Sequence, residues 1–143
     1  MTWLSAPISK TQETSASKRA SVAEKIAQEV VRADPTVLSL LVLDNRDSSR
    51  VLAVARSPAL PPESRASPEL VQRFAIAAMV VWGAAENAAK LMGRREFIVG
   101  AFKEQLVLLV GLPEYEMLLA VRLARSSNAE HVFDKIAALL GIS

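Results

Sequence analysis

The chain has 143 residues, no cysteine and a single histidine, His131. Without cysteine there are no disulfides and no thiolate zinc sites. With one histidine there is no imidazole cluster to hold a metal. No glycine-rich phosphate loop of the Walker type is present, so no nucleotide site of its own is expected. Charge of either sign is also nearly absent as a net quantity. The 17 basic and 15 acidic residues leave +2, too small an excess to mark a nucleic-acid partner. No uninterrupted apolar stretch approaches the roughly 18–20 residues that cross a bilayer, so no membrane span is expected. The N-terminus lacks the charged start and apolar block of a signal peptide. These absences point to a cytoplasmic protein.

What is present is apolar: 51% of residues are hydrophobic and 22% charged, a globular rather than disordered balance. The length suits one domain with a real core. Residues 1–17 are rich in Ser and Thr without a period and read as a flexible arm, leaving residues 18–143 as the domain. A helix is expected over 18–33, from the recurrence of Val22, Ile26 and Val30, widened by Ala23, Ala27 and Val31. Ser21 and Glu24 have capping-box spacing, and Asp34-Pro35 ends the helix. The runs VLSLLVL (37–43) and RVLAVAR (50–56) read as a hairpin whose first strand is buried on both faces.

After a proline-bearing loop, Ser67-Pro68 opens a long helix over 69–92, ELVQRFAIAAMVVWGAAENAAKLM, which Gly93 ends. Its wide apolar face is read as Leu70, Phe74, Ala77, Val81, Ala85, Ala88 and Met92, flanked by Val71, Trp82 and Ala89. The opposite face is polar, yet Ile76, Met79, Val80 and Gly83 lie within it. This second patch, with Gly83 allowing close approach, reads as a surface for another helix. Three strands follow: 96–102, with Gly100 suiting an edge, then 106–112 and 116–124. Lys103-Glu104 is poor chemistry for a two-residue hairpin. Ser127 with Glu130 caps a last helix carrying Val132, Phe133, Ile136, Leu139 and Leu140.

The expected fold class is α+β, in the order α-β-β-α-β-β-β-α. A central five-stranded antiparallel sheet is sandwiched by helices, the long one on one side and the two terminal ones on the other. No catalytic constellation is visible. Asp44, Asp47, Glu63 and Glu69 sit in turns and at a helix start, where acids are expected on structural grounds. Ser127, His131 and Asp134 share one helix and do not make a triad.

The element order and the texture of VLSLLVLDNRDSSRVLAVAR, the Ala-rich helix and REFIVGAFKEQLVLLVGLPEYEMLLAVRLA resemble the Roadblock/LC7 family over residues 18–141. The family often carries glycines where Ser39, Ser48-Ser49 and Ser126-Ser127-Asn128 stand here. Longin and profilin-like domains share a related layout. The resemblance implies a non-enzymatic dimeric scaffold without cofactor, a homodimer or a heterodimer with a Roadblock-type paralogue. Central helices would pack antiparallel and third strands would pair. That places Gln72, Ile76, Met79, Val80, Gly83 and Asn87, with Phe97, Val99 and Ala101, in a dimer interface. It also implies a Ras-like small GTPase as partner, for which Arg73, Glu86, Lys90, Arg94 and Arg95 are candidate contacts. Two alternatives stand beside it. One is a PAS- or GAF-like sensor of small molecules, against which the apolar strand interiors count. The other is a trafficking or motor adaptor of longin or dynein-light-chain type without a GTPase.

Overall fold

The computed structural model describes residues 2–46, 50–61, 67–93 and 97–142, with side chains described from residue 18 onward except at 86 and 87. Its elements are α1 (Thr2–Ala33), β1 (Val37–Asp44), β2 (Val51–Arg56), α2 (Pro68–Met92), β3 (Ile98–Ala101), β4 (Gln105–Leu112), β5 (Met117–Ala124) and α3 (Ala129–Leu140). The five strands form one antiparallel sheet in the order β2-β1-β5-β4-β3. The expected α-β-β-α-β-β-β-α order and α+β class are both present.

Strand composition decides strand position. β1, β4 and β5 are the three inner strands, and they are the near-continuous apolar runs. Alternate residues feed two cores. Leu40 and Val42 of β1 with Leu119, Val121 and Leu123 of β5 pack against Ala23, Ile26, Ala27 and Val30 of α1 and Val132 and Ile136 of α3. Leu41, Leu43, Leu109, Leu118 and Ala120 pack on the other side, against Ala75, Ala78 and Trp82 of α2. Helices therefore cover both faces, two on one side and one on the other. Each fully buried Leu or Ile contributes about 1.5–3 kcal/mol relative to leaving it in water.

The two turns that link β3 to β4 and β4 to β5 are short and closed by backbone hydrogen bonds. β3 and β4 meet across Lys103-Glu104, closed by the Phe102 N–H donating to the Gln105 carbonyl at 2.9 Å. The hairpin forms despite its unfavourable turn residues, since Leu106, Leu108 and Leu109 of β4 fix the register by burial. In the β4–β5 turn Glu116 adopts φ 52°, a left-handed conformation in a non-glycine residue. The Asn45 N–H and the Arg19 guanidinium both donate to its carbonyl.

Several local expectations are corrected. Ser21 does not start a helix, because α1 is already helical from Thr2 and runs through it. The backbone of 2–17 continues this helix, and among the residues of α1 whose side chains are described, from residue 18 onward, the first to enter the core are Ala23 and Ile26. The cap of α3 is Asn128, whose side chain accepts from the His131 N–H. Ser127 lies one residue earlier and hydrogen-bonds Thr36 Oγ1 at 2.7 Å instead.

Among the described residues two acids are buried, and both are held in hydrogen-bonded corners of the fold. Asp34 accepts from the Thr36 N–H at 2.8 Å, from Thr36 Oγ1 at 2.6 Å and from Lys135 Nζ at 2.8 Å, tying the α1–β1 corner to α3. Burial pushes its pKa up, but the hydrogen bonds from Lys135 and Thr36 and the charge of Lys135 outweigh this and lower it from 3.8 to about 2. Asp44 is likewise pushed up by burial and held below its usual value by the Arg46 N–H and by the charges of Arg19 and Arg46. Among the described residues no group of acids and histidine is placed to hold a metal.

Candidate functional site

The long helix is capped at both ends and one-sided in its packing. Ser67 accepts from the Leu70 N–H at 3.2 Å, Pro68 occupies the first turn, and Gly93 at φ 95° closes the end with its N–H on the Ala89 carbonyl. Glu69 and Arg73 form an exposed ion pair at 2.7 Å, worth only a few tenths of a kcal/mol.

The phase of this helix differs from the expectation. The buried stripe is Ala75, Ala78 and Trp82, with Val71, Phe74 and Met79 half-buried against it. Leu70, Ala77, Val81, Ala88 and Met92, expected in the core, are not buried there, and Leu70, Val81 and Met92 are exposed outright. The reason is contact distance. Small Ala75 and Ala78 let the helix lie close to the sheet, and the Trp82 ring fills the gap beyond them. Its indole occupies the space where a Cβ on Gly111 of β4 would stand.

The corrected phase leaves a larger bare apolar face than expected. Ile76 is 49% exposed, Val80 65% and Leu91 89%, and they recur at helical spacing on the side away from the sheet. Ala77, Val81, Gly83 and Ala84 fill the stripe between them. Nothing lies within 4 Å of a Cβ built at Gly83. From 74 to 85 this face holds no charge. By length and composition α2 is also long and apolar enough to cross a membrane, since its charged residues lie toward its two ends.

The second open feature is β3. It pairs with β4 on one side only, so the N–H and C=O groups of its other side face outward. No lysine, proline or bulge blunts it. Val99 and Ala101 are exposed, and Phe102 beyond the strand is 58% exposed. Ile98 packs with Met79 and Trp82 in the core under α2.

The expected interface residues therefore divide. Ile76, Val80 and Gly83 stand on the bare face of α2, and Val99 and Ala101 on the open edge. Met79 is turned toward the sheet. Phe97 is half-buried with its ring 4.6 Å from that of Phe133, so its side chain is spent under α3. Gln72 is half-buried at the border. Of the expected partner contacts, Arg73 and Lys90 are exposed on α2. The side chains of Glu86 and Asn87, and all of Arg94 and Arg95, lie outside the described residues.

A pocket between sheet and helix, expected only under the alternative of a PAS- or GAF-like sensor, is also present. A cavity of about 540 Å³ opens between the first half of α2 and the sheet. Its wall is not wholly apolar, contrary to the reading of the strands as apolar throughout. Ser39, Gln105 and Arg122 project into it from β1, β4 and β5, beside Leu41, Val71 and Phe74.

No protein-family model and no curated protein matches the chain. Solved structures do. A Roadblock/LC7 domain from Streptomyces avermitilis superposes with a TM-score of 0.62 at 18% identity, covering 82% of this chain and 91% of that one. The gliding protein MglB from Thermus thermophilus gives 0.58 at 16% identity, covering 88% and 91%. An MglB described as having a tetrameric arrangement gives 0.62 at 18% identity, covering 86% and 85%. Both the element order and the overall superposition agree, and the chain has the Roadblock/LC7 fold.

Proposed function

We propose that this chain is a non-enzymatic scaffold of the cytoplasm that works as a dimer, either of itself or with a Roadblock-type paralogue. The bare face of α2 carries the reading. A helix that buries Ala75, Ala78 and Trp82 but leaves Ile76, Val80 and Leu91 in water has one side too many for a lone domain. A second α2 laid antiparallel across Gly83 would cover Ile76, Val80 and Ala84. The open edges of β3, at Val99 and Ala101, would then join the two sheets. An ordinary interface of this kind buries about 800 Å² per partner. The tetrameric arrangement of one MglB of the same fold supports a self-associating surface.

The dimer would present its helix layer as a platform to a Ras-like small GTPase, as the family resemblance implies. Arg73, Glu86 and Lys90 of α2, with Arg94 and Arg95 that follow it in sequence, are the residues we assign to that contact. Regulation would arise from differential affinity for the two nucleotide states of the partner. The test is a pull-down with purified small GTPases of the source organism, loaded with GDP or a GTP analogue. State-dependent capture is the expected result. A dimer that captures none of them in either state would leave a plain trafficking or motor adaptor.

A further inference from the structure

We propose that the cavity beneath the first half of α2 binds an organic anion, a carboxylate or phosphate monoester on an apolar body, with Arg122 taking its charge. This goes beyond the scaffold reading and does not depend on it.

β5 is the middle strand of the sheet, and Leu118 and Ala120 on the same face as Arg122 pack under α2. A guanidinium on the inner face of a central strand has to be satisfied. The register sets Ser39 on one side of it and Val107 on the other. Its Nε donates to Gln105 Oε1 at 2.9 Å and its Nη1 to Ser39 Oγ at 3.1 Å. Both acceptors are neutral. Among the described residues no carboxylate pairs with Arg122. Arg122 is half-buried, and a guanidinium has five N–H donors, so those not taken by Gln105 and Ser39 are open to an anion in the cavity.

The rest of the wall fits the rest of such a ligand. Leu41, Val71, Phe74 and Val107 offer an apolar surface next to the cation. The volume of about 540 Å³ lies within the range of small-molecule sites. Arg56 adds a second guanidinium to the lining, with its Nη2 donating to the Pro61 carbonyl at 2.7 Å. Glu69, the acid in the first turn of α2, is paired with Arg73.

Calorimetric titration and thermal shift of the full chain test the proposal, using octanoate and octyl phosphate as probes with octanol and inorganic phosphate as controls. Both amphiphilic anions are expected to bind saturably and raise the melting temperature, at least tenfold more tightly than either control. Arg122→Gln is expected to weaken octanoate at least tenfold. If that variant does not fold, Val54→Trp, at an exposed lining position, is expected to reduce binding by closing the mouth. The absence of saturable binding of both anions overturns the proposal. So does equal affinity for octanol, equal affinity for inorganic phosphate, or unchanged octanoate binding in folded Arg122→Gln or Val54→Trp. Oligomeric state is read separately in the same samples, so a failure here is distinguishable from a failure of the dimer.

Discussion

Trp82 and Gly111 form a single fitted contact: the indole of α2 lies where a side chain on β4 would begin, and a Cβ at 111 would stand 3.1 Å from its Cη2. This contact fixes how close α2 comes to the sheet and which of its faces is turned inward. Gly111→Ala is expected to destabilise the fold by about 1–3 kcal/mol, the usual cost of overpacking. Denaturant unfolding followed by tryptophan fluorescence measures this, with a red-shifted native spectrum as the sign that Trp82 has been displaced.

The acid limb of the stability profile should report Asp34. Its folded pKa of about 2 lies below the 3.8 expected when unfolded, so the stabilisation is present above 3.8 and is lost as pH falls toward 2. The contribution is on the order of 2 kcal/mol at neutral pH. Asp34→Asn is expected to lower stability at pH 7 by about that amount and to flatten the loss between about pH 4 and 2, as read by urea midpoints across pH.

Glu116 is held at φ 52°, which costs a residue with a Cβ about 1 kcal/mol or more. Glu116→Gly is expected to raise the melting temperature by a few degrees, because the carbonyl contacts with Asn45 and Arg19 are kept. Its ion pair with Arg46, at 3.6 Å and half-exposed, contributes little against this.

The domain is expected to stand without residues 1–17. Among the described side chains of α1 the core begins at Ala23, and Arg19 is the earliest residue in the described hydrogen bonds. A chain starting at Lys18 should unfold cooperatively within a few degrees of the full-length protein. A drop of more than about 10 °C would mean that the arm belongs to the fold.

Sequence and structure agree where contrast is high. β1 and β5 are readable because runs such as VLSLLVL and MLLAVRLA have no other home than the middle of a sheet. The phase of α2 is not readable for the opposite reason. Ala and Val occur all round it, so periodicity offers no preferred face, and the choice falls to a fit between Trp82 and Gly111, a glycine on a distant strand. Three small or flat residues, Ala75, Ala78 and Trp82, are the one local signal of the buried stripe. The cavity is hidden for a different reason. Ser39, Gln105 and Arg122 are isolated polar residues in three largely apolar strands, and only the register of β1, β4 and β5 brings them together.

The central claim is that the bare face of α2 meets a second copy or a close relative. The corrected phase chooses the variant. Met79→Glu would strike the core, whereas Val80→Glu places a charge on a side chain that is 65% exposed. Sedimentation equilibrium of the wild type and of Val80→Glu, with far-UV melting of both, is the direct measurement. The account predicts twice the 15.5 kDa chain mass for the wild type, and 15.5 kDa with an intact fold for the variant. A wild type that stays at 15.5 kDa up to high concentration, alone and with its paralogues, would contradict it.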